Sequence, residues 1–214
     1  IGNDGHDQCA AGNVNVFRQE PGLAGLFMHS EGLDPRHPAW GTMALSTTAE
    51  QVSYKRNWQE DPWRSGLLHL WDELLADGRL EDGPGAPMDV PMGALAAATT
   101  VPAGGEASLT FLLTWHFPNR QTWTPLGDAN CCGEGACAAN RVGNYYCTQF
   151  DDAWDVASRV APRLPQLEEQ TLSFLAAFLS TDLPAVAKEA ALFNLSTLRT
   201  QTCFRTEDGR FFGW

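Results

Sequence analysis

The chain has 214 residues, 43% hydrophobic and 19% charged, which supplies the core of one large globular domain, or of one domain and part of another. Its formal net charge of −12 and pI of about 4.7, without a Lys/Arg cluster, exclude a protein that tracks nucleic-acid phosphates. No apolar run reaches the ~18 residues of a bilayer-spanning helix, so no transmembrane segment is expected.

Residues 1–13 are rich in Gly, Asp and Asn, carry no periodicity and read as a loop. Val14 to Arg18 and Leu23 to Ser30 read as strands separated by the turn Glu20-Pro21-Gly22. A second turn, Gly32 to Pro38, leads to strands over Trp40–Thr47 and Gln51–Trp58, so an antiparallel sheet is expected. Asp61-Pro62 then offers a capping carboxylate and a proline for a first helical turn. Trp63, Leu67, Leu70, Trp71, Leu74 and Leu75 follow at helical spacing until Gly78, a stripe expected to dock on the sheet. After a Gly/Pro loop over 81–92, Gly93 to Val101 reads as a strand. The turn Pro102 to Glu106 joins it to the next strand, and the two are expected to form a hairpin.

That next strand, Ser108 to Pro118, is the most regular stretch of the chain. Ala107, Leu109, Phe111, Leu113, Trp115 and Phe117 alternate with Ser108, Thr110, Thr114 and His116, and only Leu112 breaks the pattern. A period of two predicts a strand with one buried face, and the apolar set is expected to fill it. From Asn119 to Tyr146 no period is visible, and a loop of that length is usually functional or an interdomain contact. Leu164, Leu167, Leu172, Leu175 and Leu179 then predict a helix near Gln166 to Ser180. Thr181-Asp182-Leu183-Pro184 ends it and begins another, from about Pro184 to Cys203, with a face of Val186, Ala190, Ala191, Leu195 and Leu198. The change from strands to helices places a domain boundary near Asp155 to Pro165. The expected organisation is a mainly β, antiparallel sandwich with an inserted helix over 1–160, followed by a helical start of a second domain over 161–214.

Candidate chemistry is sparse. Cys131, Cys132, Cys137 and Cys147 lack the paired CxxC spacing of structural zinc, and their spacing leaves zinc, a disulfide and inert buried thiols open. Asp128, Asn130 and Glu134 alternate in the same loop and offer hard oxygen ligands to calcium, without the rest of an EF-hand pattern. Asp151, Asp152 and Asp155 can be read as paired carboxylates for glycoside hydrolysis, or as caps at a strand-to-helix junction. His29, His37, His69 and His116 are scattered without a nucleophile or metal motif, and the sequon at Asn194 lies inside a predicted helix. No GxGxxG, P-loop or GxSxG is present, so no nucleotide cofactor is expected. Eight Trp and eleven Phe suit sugar stacking and equally suit a sandwich core. Six cysteines fit an oxidised exported protein or a reduced cytoplasmic one, so no compartment is assigned.

The stretches WHFPNR, GNYYCTQFDDAWDVA and LPAVAKEAALFNLSTL, taken in order, resemble glycoside hydrolase family 116, which includes non-lysosomal glucosylceramidases and bacterial β-glucosidases. The resemblance implies the end of an N-terminal β-sandwich, the first helix of an (α/α)6 catalytic barrel in LPAVAKEAALFNLSTLRTQTCF, and a hairpin in TEDGRFFGW. It further implies a retaining β-glycosidase whose nucleophilic glutamate follows Trp214 and whose acid/base aspartate lies further on, so that no catalytic residue is expected within this chain. The start at Ile1-Gly2-Asn3 and the apolar run up to Trp214 are read accordingly as ends of a piece of a longer chain. Expected partners are a carbohydrate or glycolipid substrate and the remainder of the catalytic domain. The residues expected to reach the sugar or the domain interface are His116, Asn119, Arg120, Tyr145, Tyr146 and Trp214. Two rival readings remain: an inverting hydrolase or phosphorylase on the same architecture, and a non-catalytic carbohydrate-binding or scaffold sandwich.

Overall fold

A computed structural model describes residues 12–58, 65–83, 90–122, 141–196 and 203–213. Six strands and a helix come first: β1 (Asn13–Glu20), β2 (Leu23–Ser30), β3 (Thr42–Thr47), β4 (Gln51–Lys55), α1 (Gly66–Asp77), β5 (Ala94–Ala98) and β6 (Phe111–His116). Helices α2 (Ala153–Val160), α3 (Leu164–Leu179) and α4 (Ala185–Asn194) follow, and the hairpin strands β7 (Cys203–Arg205) and β8 (Phe211–Gly213) come last. The β-rich start expected from the alternation is therefore present as antiparallel sheets.

The main sheet has the order β1-β2-β3-β6, all antiparallel. Its register places Val16, Phe27, Ala44 and Thr114 in one row and Phe17, Leu26, Leu45 and Leu113 in the next, so the two rows face opposite sides. Helix α2 packs on the first side, where Leu23, Phe27, Ala44, Ala153, Trp154 and Ala157 form the core cluster. Ala153 and Ala157 are 0% exposed, as is Ala44 beneath them, and three side chains no larger than a methyl let the helix backbone approach the sheet closely. The small sheet β4-β5 packs on the other side, over β1, β2 and β3. Phe17 stacks on Tyr54 with ring centroids 3.8 Å apart, and the Asn15 side-chain amide donates to the carbonyls of Arg56 at 2.7 Å and Pro91 at 3.2 Å.

Strand β6 reverses the expected inside and outside. Leu112, Thr114 and His116 are buried, whereas Phe111, Leu113 and Trp115 are 46%, 54% and 52% exposed. The reason is the helix start that lies on the polar face. The first N–H groups of a helix have no partner within it. Thr42 Oγ1 accepts the Ala153 N–H at 2.9 Å, Asp152 Oδ1 accepts the Asp155 N–H at 2.8 Å, and Thr114 Oγ1 donates to the Ala153 carbonyl at 2.7 Å. Buried hydroxyls are satisfied here by backbone groups that a hydrophobic face could not serve. The β4-β5 sheet does not extend over β6, so its apolar side chains stay in the open among the described residues.

Two further expectations change. The Pro102–Glu106 turn does not close a hairpin: β5 pairs with β4, and β6 joins β3 in the other sheet. Composition marks the turn, but edge availability selects the partner. Helix α1 does not bury its apolar stripe, because Leu67, Trp71 and Leu75 are exposed while Glu73 turns inward to pair with the buried Lys55. The proposed capping pair Asp61-Pro62 and Trp63 lie outside the described residues; Gly78 does end the helix, its N–H donating to the Leu74 carbonyl at 2.9 Å. Finally, α3 and α4 lie within one or two residues of their expected starts, and among the described residues neither buries a side chain.

Candidate functional site at the returning hairpin

After the α3–α4 excursion the chain comes back to the main sheet. The β7-β8 hairpin settles against residues 119–122 and 141–146, just beyond the end of β6. Phe204 stacks on Phe212 across the hairpin at 5.5 Å, and Thr206, 1% exposed, anchors its turn: the Thr206 hydroxyl donates to Asp208 Oδ1 at 2.5 Å, and the Arg210 N–H donates to the same oxygen at 3.2 Å.

The hairpin is held by paired aromatic and ionic contacts. The Arg120 guanidinium lies 3.7 Å over the Phe204 ring, and the Arg205 guanidinium 3.7 Å over the Tyr145 ring, a reciprocal pair of cation–π contacts. Burial pushes the Arg120 pKa below its ordinary value. Arg141 pairs with Glu207 at 2.6 Å, and the Glu207 N–H donates to the Val142 carbonyl at 3.1 Å. Gly143 sits at φ +62°, where a Cβ would stand 2.5 Å from Glu207 Oε2; both the backbone angle and the space call for glycine.

The residues expected at the site fall into two groups. His116 is 5% exposed, and its Nε2–H donates to the Phe150 carbonyl at 2.9 Å. Asn119 is equally enclosed: its amide donates to the carbonyls of Pro35 at 2.6 Å and His37 at 3.0 Å, and its Oδ1 accepts from Arg141 Nε at 3.0 Å. These two tie β6 to its surroundings. Arg120 and Tyr145 stand at the hairpin contact, whereas Tyr146 belongs with the end of β6: its ring meets the edge of His116 and its hydroxyl accepts the Phe117 N–H at 3.1 Å. Trp214 and the calcium candidates Asp128, Asn130 and Glu134 lie outside the described residues, as do Cys131, Cys132 and Cys137. Cys147 is a free thiol whose pKa burial pushes up. Sequence reasoning missed Arg141, Phe204, Arg205 and Glu207, because their partners are distant in the chain and no local pattern announces them.

An open groove of about 440 Å³ runs beside this contact, lined by Arg141, Val142, Glu207, Asp208 and Arg210. Arg210 pairs with Asp208 at 2.7 Å. The Thr206 hydroxyl and the Arg210 N–H hold the Asp208 carboxyl below its usual range, so it stays anionic and is unsuited to donate a proton near neutral pH. The Asp151-Asp152-Asp155 group is occupied in the same sense: Asp152 caps α2 and pairs with Arg18 at 3.4 Å, while Asp155 pairs with Arg159 at 2.8 Å. Capping is the role this geometry gives Asp152, and Asp155 accepts the Asp151 N–H at 3.1 Å besides its ion pair. Among the described residues no cluster of three or more His, Cys, Asp or Glu could hold a metal ion, and no helix is long and apolar enough to cross a membrane.

Burial also pushes the Tyr146 phenol well above its ordinary value. A raised folded-state pKa means that the folded form keeps its proton longer than the unfolded form does. The associated stability is complete below roughly pH 10, the unfolded phenol value, and declines as pH rises beyond it. Urea midpoints measured from pH 8 to 11 should therefore fall more steeply above pH 10 in the wild type than in Tyr146→Phe. Parallel curves would show that Tyr146 is not the group responsible.

A comparison with curated proteins found no match. The family profile described as beta-glucosidase 2, glycosyl-hydrolase family 116 N-term, matches residues 1–167, which takes in both sheets, α1, α2 and the sheet side of the hairpin contact. A match over that much of the chain settles its membership, in agreement with the motifs around β6 and α2: the chain belongs to glycosyl-hydrolase family 116 and contains that family's N-terminal domain.

Proposed function

We propose that this chain is the N-terminal sandwich and the beginning of the (α/α)6 catalytic barrel of a retaining β-glycosidase that hydrolyses β-glucosides. The domain boundary is put near residue 160. In this reading one carboxylate, the glutamate just after Trp214, attacks the anomeric carbon while an acidic aspartate further along protonates the departing oxygen. Water, deprotonated by that aspartate, then releases the sugar from the glycosyl ester with its β configuration retained. The match to the family over residues 1–167, whose description names a beta-glucosidase, carries the proposal. The unburied apolar residues of α3 and α4, such as Leu172 and Val186, agree with helices that belong to a larger helical domain.

The role proposed for this chain is support: Arg120 and Tyr145 form the contact between sandwich and hairpin, and Trp214 forms a wall beside the nucleophile. The test is hydrolysis of an aryl β-glucoside by the parent protein, with the product anomer followed by NMR. Initial release of the β anomer is the expected result. An α anomer would sink the retaining mechanism, and turnover that requires phosphate would identify a phosphorylase.

A second reading, a carbohydrate-binding sandwich without catalysis, is favoured by the exposed rings of Trp115 and Phe111, which share one face of β6. A sandwich of that kind binds glycan without any residue after Trp214, and loses the binding in Trp115→Ala.

A further inference from the structure

The match to the N-terminal family domain ends at residue 167, yet residues 203–213 pack back on residues 119–122 and 141–146. Two helices, α3 and α4, separate these partners in sequence without burying a side chain among the described residues. Among the described residues, Arg120, Arg141, Val142 and Tyr145, just beyond the end of β6, hold the hairpin. Its contacts come from different directions: Arg120 on Phe204, Arg205 on Tyr145, Arg141 on Glu207, and the Val142 carbonyl on the Glu207 N–H. Reciprocal stacking, in which each side offers one arginine and one ring, resists both sliding and rotation of the hairpin. Asn119 extends the hold inwards, since the same side chain that steadies Arg141 is bonded to the carbonyls of Pro35 and His37.

We infer that Arg120, Arg141 and Arg205 are positioning residues, which clamp the β7-β8 hairpin to the sandwich and so set the path of the chain from β8 towards the catalytic residues. The inference rests on the glycosidase reading above. It assigns the sandwich a share in turnover although none of the three side chains touches the reacting atoms. A misplacement of about 1 Å far from the chemistry can lower a rate by roughly 100-fold, so a loosened clamp should act on kcat while substrate affinity is kept.

The test uses the full-length parent enzyme and an aryl β-glucoside. Arg141→Glu, Glu207→Arg and the double exchange are compared, because this half-exposed pair tolerates reversal better than the stacked arginines do. Hydrogen exchange of residues 203–213 is recorded alongside. Each single exchange is expected to speed exchange in the hairpin and lower kcat by about 10-fold or more with KM within about 2-fold, and the double exchange to recover about 3-fold or more of the Arg141→Glu loss, the Arg141 bond to Asn119 staying broken. Arg205→Lys, which keeps charge but not the planar stack on Tyr145, is expected to retain more activity than Arg205→Ala. Faster exchange with an unchanged kcat would overturn the inference, as would equal losses in kcat and KM effects that the double exchange does not repair. A wild-type parent inactive on every β-glucoside tested would instead overturn the glycosidase reading, and the inference with it.

Discussion

Trp154→Ala is expected to lower the free energy of unfolding by about 3–5 kcal/mol, the range for removing a buried aromatic from a core. Trp154 is 8% exposed and belongs to the cluster that joins α2 to the main sheet. The alanine neighbours Ala153 and Ala157 are already as small as they can be, and Ala44 in the sheet beneath adds nothing that could swing into the space. Collapse around the cavity is therefore limited, which puts the cost in the upper part of the range. The Arg18 guanidinium adds to the loss, since it lies 3.5 Å over Phe27 and 6.0 Å from the Trp154 ring while pairing with Asp152. Trp71→Ala is the control: that side chain is 60% exposed on α1, and its removal should change stability by no more than about 0.5 kcal/mol. Urea unfolding of both variants checks the contrast, and equal effects would refute the placement of the core.

Gly25→Ala should be nearly as damaging. A Cβ at Gly25 would stand 2.2 Å from the Leu45 carbonyl oxygen and 2.5 Å from Ser46 Cα, both backbone atoms of the neighbouring strand. Neither can move without displacing β3, which pairs with β2 on one side and β6 on the other. A loss of about 3 kcal/mol is expected, at the upper end of the cost of overpacking. The comparison is Gly22→Ala in the β1-β2 turn. There nothing lies within 4 Å, and the cost is only that of a φ of +78°, roughly 1–2 kcal/mol. A thermal melt that ranked the two in the reverse order would show that turn geometry and not strand spacing limits this sheet.

The extent to which the site was legible can be argued from single residues. The strands, the turns at Pro21-Gly22 and Gly32–Pro38, and the helices after Leu164 follow from periods and punctuation that operate over a few residues, and the structure has them close to their expected positions. The region around β6 was also recognisable, and Arg120 and Tyr145 both meet the hairpin. Their partners were not recognisable. Phe204 and Arg205 become the other half of the contact only after the chain has made two helices and returned, and no spacing in the sequence encodes that return.

Strand β6 shows where local reasoning stops. Alternation determined that Phe111, Leu113 and Trp115 share one face and that Leu112, Thr114 and His116 share the other. Which face is covered depended on where α2 found acceptors and donors for its first turn, and Thr42 and Thr114 supplied them. Hydrophobicity favours burying the apolar set by about 25 cal/mol per Å², but the carbonyls of Ala153 and Phe150 at the start of α2 take donors from Thr114 and His116, and those bonds hold the polar face of β6 inwards. The same division holds for β5, whose strand character is local and whose partner β4 is not. By itself, then, the sequence determined the elements, their antiparallel sense and the family. Tertiary structure alone decided the buried side of β6, the pairing of β5 and the clamp on the hairpin, because each depends on groups far apart in the chain competing for the same surface.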